Sequence, residues 1–314
     1  MKPSLVLLPL LSVLTLTLIA GPATAQKKGG GGTTPPPAPA IAFVESGIKV
    51  MNADGSNVRT VVALRRGESA AYPIWSPDGQ QLAFSGTLGG RRGLWTVNLD
   101  GTGLQLLVAL SAGVDGCPDW SRVPTPDGRY KIAFTSAGVG GDSDVFVVNT
   151  DGTGLQNLTN SMVGEWTSTW TRDASALYAA WSDNYTTSQN PLDWWGVEVL
   201  QVELSTGGGL AVTAATEVLP GWFVGACAVA HTDDLLMLGG GNPGSPSYFE
   251  NYFVDATLPV WSPQHVFVDT VLYGFSADDS RVVLRRDGIC TANLDGSGFV
   301  RIRTTGTMPA WRHN

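Results

Sequence analysis

Histidine and cysteine are both scarce in this chain, three of each among 314 residues. His231, His265 and His313 stand in unrelated contexts, so the sequence offers no imidazole cluster at metal-ligand spacing. No Gly-x-Ser-x-Gly segment occurs, which removes the nucleophile-elbow hydrolases. Cys117, Cys227 and Cys290 are odd in number and cannot all pair with one another. They are expected mostly as buried thiols, with a Cys227–Cys290 bridge the pairing to check. Charge is sparse, 15% of residues, and acidic groups outnumber basic ones 27 to 19. The resulting net charge of −8 argues against nucleic acid or an anionic membrane surface as a partner. Helix-period patterning is missing from residue 41 onward.

What the chain has instead is a repeat. Trp75-Ser76-Pro77-Asp78-Gly79 is followed by Leu82-Ala83-Phe84 and then by Leu94-Trp95-Thr96-Val97-Asn98-Leu99-Asp100-Gly101. A second copy runs from Asp119-Trp120 through Pro126-Asp127-Gly128 and Ile132-Ala133-Phe134 to Asn149, Asp151 and Gly152. Short apolar and β-branched runs between Pro-Asp-Gly or Asp-Gly turns are the pattern of half-buried strands joined by tight hairpins. The second turn recurs at Asp54-Gly55, Asp100-Gly101, Asp151-Gly152, Thr206-Gly207 and Asp295-Gly296, near the roughly 45-residue period of four-stranded propeller blades.

The expected fold is therefore all-β, a six-bladed β-propeller, with seven blades as the alternative. Blades are placed at 73–108, 118–159, 168–214, 224–262 and 271–304, the fourth of these having its turn motifs worn away. The sixth is shared: Pro309-Ala310-Trp311 matches the first strand of a repeat and Ile41-Ala42-Phe43 the second, so the C-terminal strand should close the ring on the N-terminal blade. Trp75, Trp120, Trp170 and Trp311 hold one repeat position and are assigned to the core. Asp78, Gly79, Asp100, Gly101, Asp127, Gly128, Asp151, Gly152, Asp295 and Gly296 are assigned to turns, Gly supplying positive φ and Asp accepting from nearby amides. Only Gly141-Asp142-Ser143-Asp144 approaches an oxygen-rich calcium loop, and Asp144 reads as a strand-end acceptor.

These phrases, Trp-Ser-Pro-Asp-Gly with a later Asn-x-Asp-Gly, resemble the TolB-like, WD40-like family of propeller repeats over residues 41–314. The resemblance implies the propeller fold and an envelope setting. The α/β domain that precedes the propeller in the best-known member is expected to be absent.

Residues 1–25 combine Lys2, an apolar run from Leu5 to Ala20 and an Ala23-Thr24-Ala25 end, the layout of a secretory signal peptide. Its removal before Gln26 takes away one lysine and no acid, moving the net charge from −8 to −9. Residues 26–40, rich in glycine and proline, read as a disordered tether. The mature chain is expected to be secreted or periplasmic, not membrane-spanning, and a monomer.

Both turn motifs of a blade fall on one rim, and longer connections on the other. Gly86–Gly93 carries Arg91 and Arg92, Asp183–Gly196 carries Tyr185, Trp194 and Trp195, and Gly239–Asn251 carries Tyr248. Blade-to-blade loops add Arg65, Arg66, Glu165, Trp166, Trp222 and Phe223. Aromatic residues and arginine on scaffolded loops are common interface anchors. Arg91, Arg92, Trp166, Tyr185, Trp194, Trp195, Trp222 and Tyr248 are the candidate partner-binding residues. No catalytic residue, metal ligand or cofactor is assigned. The leading reading is a non-catalytic scaffold that binds a protein in the envelope or extracellular space. A lectin-like propeller whose rim aromatics stack on glycans is the alternative. A hydrolase or lyase using Glu165, Asp183, Asp193 or Glu250 ranks third.

Overall fold

Alternation of apolar and polar residues between turns builds twenty-four strands among the described residues of the computed structural model. It describes residues 40–110, 118–137, 143–161, 163–182, 195–220, 223–229, 235–241, 250–255 and 264–313. The strands pair into six four-stranded antiparallel sheets. Sheet A is β24-β1-β2-β3, made of β1 (Ile41–Val44), β2 (Gly47–Met51), β3 (Arg59–Ala63) and β24 (Thr307–Trp311). Sheet B holds β4 (Ser69–Trp75), β5 (Gln81–Leu88), β6 (Arg91–Asn98) and β7 (Gln105–Ala109). Sheet C holds β8 (Asp119–Trp120), β9 (Lys131–Ala137), β10 (Ser143–Asn149) and β11 (Gln156–Asn157). Sheet D holds β12 (Gly164–Trp170), β13 (Ala176–Ser182), β14 (Trp195–Leu204) and β15 (Leu210–Pro220). Sheet E holds β16 (Phe223–Val229), β17 (Leu235–Gly241), β18 (Glu250–Asp255) and β19 (Gln264–Val268). Sheet F holds β20 (Val271–Phe275), β21 (Arg281–Arg285), β22 (Ile289–Asn293) and β23 (Val300–Arg303).

The first strands of successive sheets touch in turn, β24 with β4, then β8, β12, β16 and β20, and β20 returns to β24. That succession is the inner wall of a β-propeller. Apolar side chains fill the spaces between neighbouring sheets: Ala133, Val145 and Val147 of sheet C pack on Trp170, Leu177, Ala179 and Leu200 of sheet D. Trp75, Trp120, Trp170 and Trp311 are all buried, and Phe275 takes the same place in sheet F.

The turns are built from one design. Asp78, Asp127, Asp173 and Asp278 accept the amide of the residue two further on, at 3.0–3.2 Å. Asp54, Asp100, Asp151 and Asp295 do the same in the second turn, each at 2.9 Å. Glycine is required there twice over. Gly55 adopts φ +84, and a Cβ on it would lie 2.3 Å from the Ile302 carbonyl oxygen of sheet F. Gly101 likewise sits against the Val61 carbonyl of sheet A, so each of these turns docks on the outer strand of the preceding sheet. Lys131, 1% exposed, ties both turns of sheet C together by reaching Asp127 at 2.7 Å and Asn149 at 2.6 Å.

Sheet A draws its strands from both ends of the folded chain. Ile41 pairs with Trp311 and Ala42 with Ala310, and Arg312 N–H donates to the Ala40 carbonyl at 2.7 Å. Trp75 Nε1 donates to the Ala310 carbonyl at 3.1 Å, joining sheet B to β24.

Two expectations need correction. Arg91 and Arg92 are not in a long loop: Gly89 and Gly90, at φ +56 and +75, close a two-residue turn, so the arginines belong to β6 opposite Leu88 and Thr87. Glu165 and Trp166 belong to β12, which extends past the start expected from the Trp motif through a bulge at Trp166. Cys290 is a free, buried thiol, the state expected for it, and it forms no bridge to Cys227.

Candidate functional site

On the rim opposite the Asp-Gly turns, sheets C and D bring several acids together. Loop residues 158–161, after β11, bend over the end of β10 and bring hydroxyl and amide donors to two carboxylates. Asp144 accepts from Asn157 Nδ2 at 2.6 Å and from the Ser161 amide at 3.0 Å. Glu165 accepts from Ser161 Oγ at 2.7 Å and Thr159 Oγ1 at 3.2 Å. Asp144 is thus a strand-end acceptor, and Glu165, expected on an exposed loop, is 1% exposed.

Two further acids join them from sheet D. Glu198 of β14 opposes Glu217 of β15 directly. Burial pushes the Glu165 carboxyl up to about 7, with Asp144 and Glu198 adding repulsion against the hydrogen bonds from Ser161 and Thr159. Burial likewise pushes Glu198 up to about 7, reinforced by Glu217. Among the described residues neither Glu165 nor Glu198 forms an ion pair. Aromatic groups flank this cluster of acids. Trp166 is 41% exposed and its Nε1 donates to Ser182 Oγ at 2.5 Å. Trp181 is half-buried and opposes both Glu165 and Gly196.

Of the residues singled out from sequence, Arg91 and Arg92 are exposed at the sheet B end of the same rim. Glu68 organises that end by accepting the Arg65 amide at 2.8 Å and the Gly89 amide at 2.9 Å. Trp195 opens β14. Tyr185, Trp194, Trp222 and Tyr248, with Asp183 and Asp193, lie outside the described residues. Sequence reading passed over Glu198, Glu217 and Trp181, which carry no motif and meet only through strand register. Among the described residues no group of three or more His, Cys, Asp and Glu is placed to hold a metal ion.

A separate charged group lies on the opposite, turn-bearing rim. Asp119 accepts from Thr169 Oγ1 at 2.7 Å and the Trp170 amide at 2.8 Å, linking sheets C and D. Burial pushes its carboxyl up, and Arg122, in the field of both Asp119 and Asp279, opposes that rise.

No family model matches the chain. An 89-residue stretch, 28% of the chain, is 38% identical to the Tol-Pal system protein TolB of Alcanivorax borkumensis. The chain is a β-propeller that is similar in sequence to TolB over that stretch. The chain is also 25% identical over 126 residues, 40% of each chain, to an uncharacterized protein of Agrobacterium fabrum. The matched stretches span 19% and 40% of those two relatives' own lengths. Among solved structures, TolB of Acinetobacter baumannii superposes with a TM-score of 0.65 at 16% identity, covering 87% of this chain and 66% of the other.

Proposed function

We propose that this protein is an exported scaffold of the cell envelope, a closed ring of six blades that binds a protein partner through the rim carrying Trp166, Arg91 and Arg92, without catalysis. The single observation that carries the reading is the division of labour between rims. One rim is occupied by hydrogen-bonded Asp-Gly turns that repeat from sheet to sheet. The other differs from sheet to sheet and exposes Trp166 and two adjacent arginines. Variable, aromatic and arginine-bearing surfaces on a rigid scaffold suit protein recognition. Similarity to a protein named for the Tol-Pal system supports a protein partner and a periplasmic setting. The six sheets and the pairing of β24 with β1 support the six-bladed, strand-latched ring. Residues 1–25 act as the export signal and 26–40 as the tether.

The test compares the unmodified chain with a Trp166→Ala, Arg91→Ala, Arg92→Ala variant as baits in envelope extract. A partner retained by the first and lost by the second, with both melting alike, is expected. Equal retention would sink the choice of rim. Sequencing the N-terminus of the exported protein should return Gln26 as first residue.

A glycan ligand is the second reading, favoured by Trp166 and Trp181 beside carboxylates, which is how sugar faces and hydroxyls are held. Saturable fluorescence quenching by a soluble glycan, abolished in Trp166→Ala, would favour it over the protein partner.

A further inference from the structure

The register of sheet D sets two rows of residues on one face. In the first, Glu165 opposes Trp181 and Trp181 opposes Gly196. In the second, Ser168 opposes Ala179, Ala179 opposes Glu198 and Glu198 opposes Glu217. Directly opposed residues share a face, and so do residues two apart on one strand, so both rows look toward sheet C. Gly196 brings its neighbours down onto the backbone. A Cβ there would lie 2.8 Å from both Trp181 Nε1 and Glu217 Oε1. In the second row Ala179 lies between Ser168 and Glu198 in the register.

Ser168 is 2% exposed, and its Oγ has no hydrogen-bond partner. Buried hydroxyls are ordinarily satisfied, so an orphan on the same face as a carboxylate marks a place for a donor that is not part of the chain. Glu198 strengthens the point. Among the described residues it forms no hydrogen bond and no ion pair, only repulsion with Glu165 and Glu217. Among the described residues the charged groups acting on these two carboxylates are acids: Asp144 of β10 and Glu198 of β14 on Glu165, and Glu217 of β15 on Glu198.

We propose that this crevice between sheets C and D binds one organic cation, an alkylammonium or guanidinium group, with Glu198 and Glu165 as counter-charges, Ser168 Oγ accepting one of its N–H bonds and Trp181 flanking its carbon stem. A metal ion fits less well, because the acids do not converge as metal ligands among the described residues. A neutral ligand would leave the carboxylates without a counter-charge. An N–H-bearing cation satisfies the acids and the orphan hydroxyl together, and aromatic walls favour such cations. The group is offered either by a free small amine or by a Lys or Arg side chain of a partner. The site does not depend on the partner proposed above.

The experiment titrates the full chain with n-butylammonium chloride at pH 8 and constant ionic strength, following tryptophan fluorescence, with n-butanol as the uncharged control. Saturable quenching by the ammonium alone is expected, weakened several-fold at pH 6, where Glu165 and Glu198 are mostly protonated. Glu198→Gln should weaken it about tenfold and Ser168→Ala about threefold. Arg301→Ala, exposed on β23, should bind as the unmodified chain does. Thermal melts establish that each variant is folded, and Glu165→Gln substitutes for Glu198→Gln if the latter is not. A capped Gly-Gly-Lys-Gly-Gly peptide separates the sources. Tighter binding than butylammonium assigns a partner's side chain, and equal or weaker binding assigns a free amine. Absence of saturable quenching in the unmodified chain, or identical binding by folded Glu198→Gln and Ser168→Ala, would overturn the proposal.

Discussion

Glu45, at the corner between β1 and β2, accepts two hydrogen bonds from Arg303 of β23, from Nη2 at 2.6 Å and from Nε at 3.2 Å. Lys49 adds a third at 2.7 Å and Thr305 Oγ1 a fourth. The Arg303 guanidinium also lies over the Phe43 ring, 5.2 Å from its centroid. Sheets A and F are thereby tied beside the strand that joins the two ends of the chain.

The same bonds hold the Glu45 carboxyl down at about 2, below its ordinary 4.5, with Arg303 as the main cause. A lowered acid contributes stability that is present above its ordinary value and lost as pH falls through the folded value. Glu45→Gln is therefore expected to cost about 1 kcal/mol at pH 7, with the difference from the unmodified chain closing between pH 4.5 and 2. Melting temperatures across that range check it. A difference that persists at pH 2 would show a purely steric effect.

Glu165 and Glu198 predict the opposite slope. Their folded values near 7 exceed the ordinary 4.5, so their contribution is full below 4.5 and is lost as pH rises through 7. Hydrogen bonds from Ser76, Ser56 and Thr102 hold the turn aspartates Asp78, Asp54 and Asp100 below the usual carboxylate range, so they leave this window clear. A Glu165→Gln, Glu198→Gln chain should match the unmodified one at pH 4.5 and exceed it by about 2 kcal/mol at pH 8.5. Denaturant melts at the two pH values give the answer.

Gly55 and Gly67 share a backbone conformation, φ +84 and +85, but only Gly55 has a neighbour in the way. Gly67→Ala meets open space and should cost about 1 kcal/mol for its φ alone. Gly55→Ala must also move the Ile302 carbonyl and should cost at least about 2 kcal/mol more. Equal melting temperatures would mean that the turn does not press on its neighbouring sheet.

Asp119→Ala removes the acceptor of both the Thr169 hydroxyl and the Trp170 amide, and is expected to cost about 2–3 kcal/mol. Thr169→Val, which loses one of the two, should cost about 1 kcal/mol. Urea midpoints for the pair measure how much of the join between sheets C and D runs through this carboxylate.

The repeat was legible because its turns need particular residues: Gly79 and Gly101 for positive φ, Asp78 and Asp100 for local amides. Trp75, Trp120, Trp170 and Trp311 were legible as core because four copies share one position. The extent of strands was not. Gly89-Gly90 looks like the middle of a loop until its two positive φ angles turn it into a hairpin, and Glu165 sits before the motif that marks its blade. The crevice was illegible for a different reason. Ser168 and Glu198 are thirty residues apart and meet by register across Ala179, and no spacing along the chain encodes that.

The pairing of β24 with β1 has a kinetic side. It is the most non-local strand pair in the fold, so its loop-closure entropy is met only after the intervening sheets have formed. Until then β1 presents a bare hydrogen-bonding edge, and a β24 from another copy offers the same Ala310 and Trp311 to it. Refolding at high protein concentration should consequently trap strand-exchanged dimers that dilution before refolding avoids, which size-exclusion chromatography of the two preparations distinguishes.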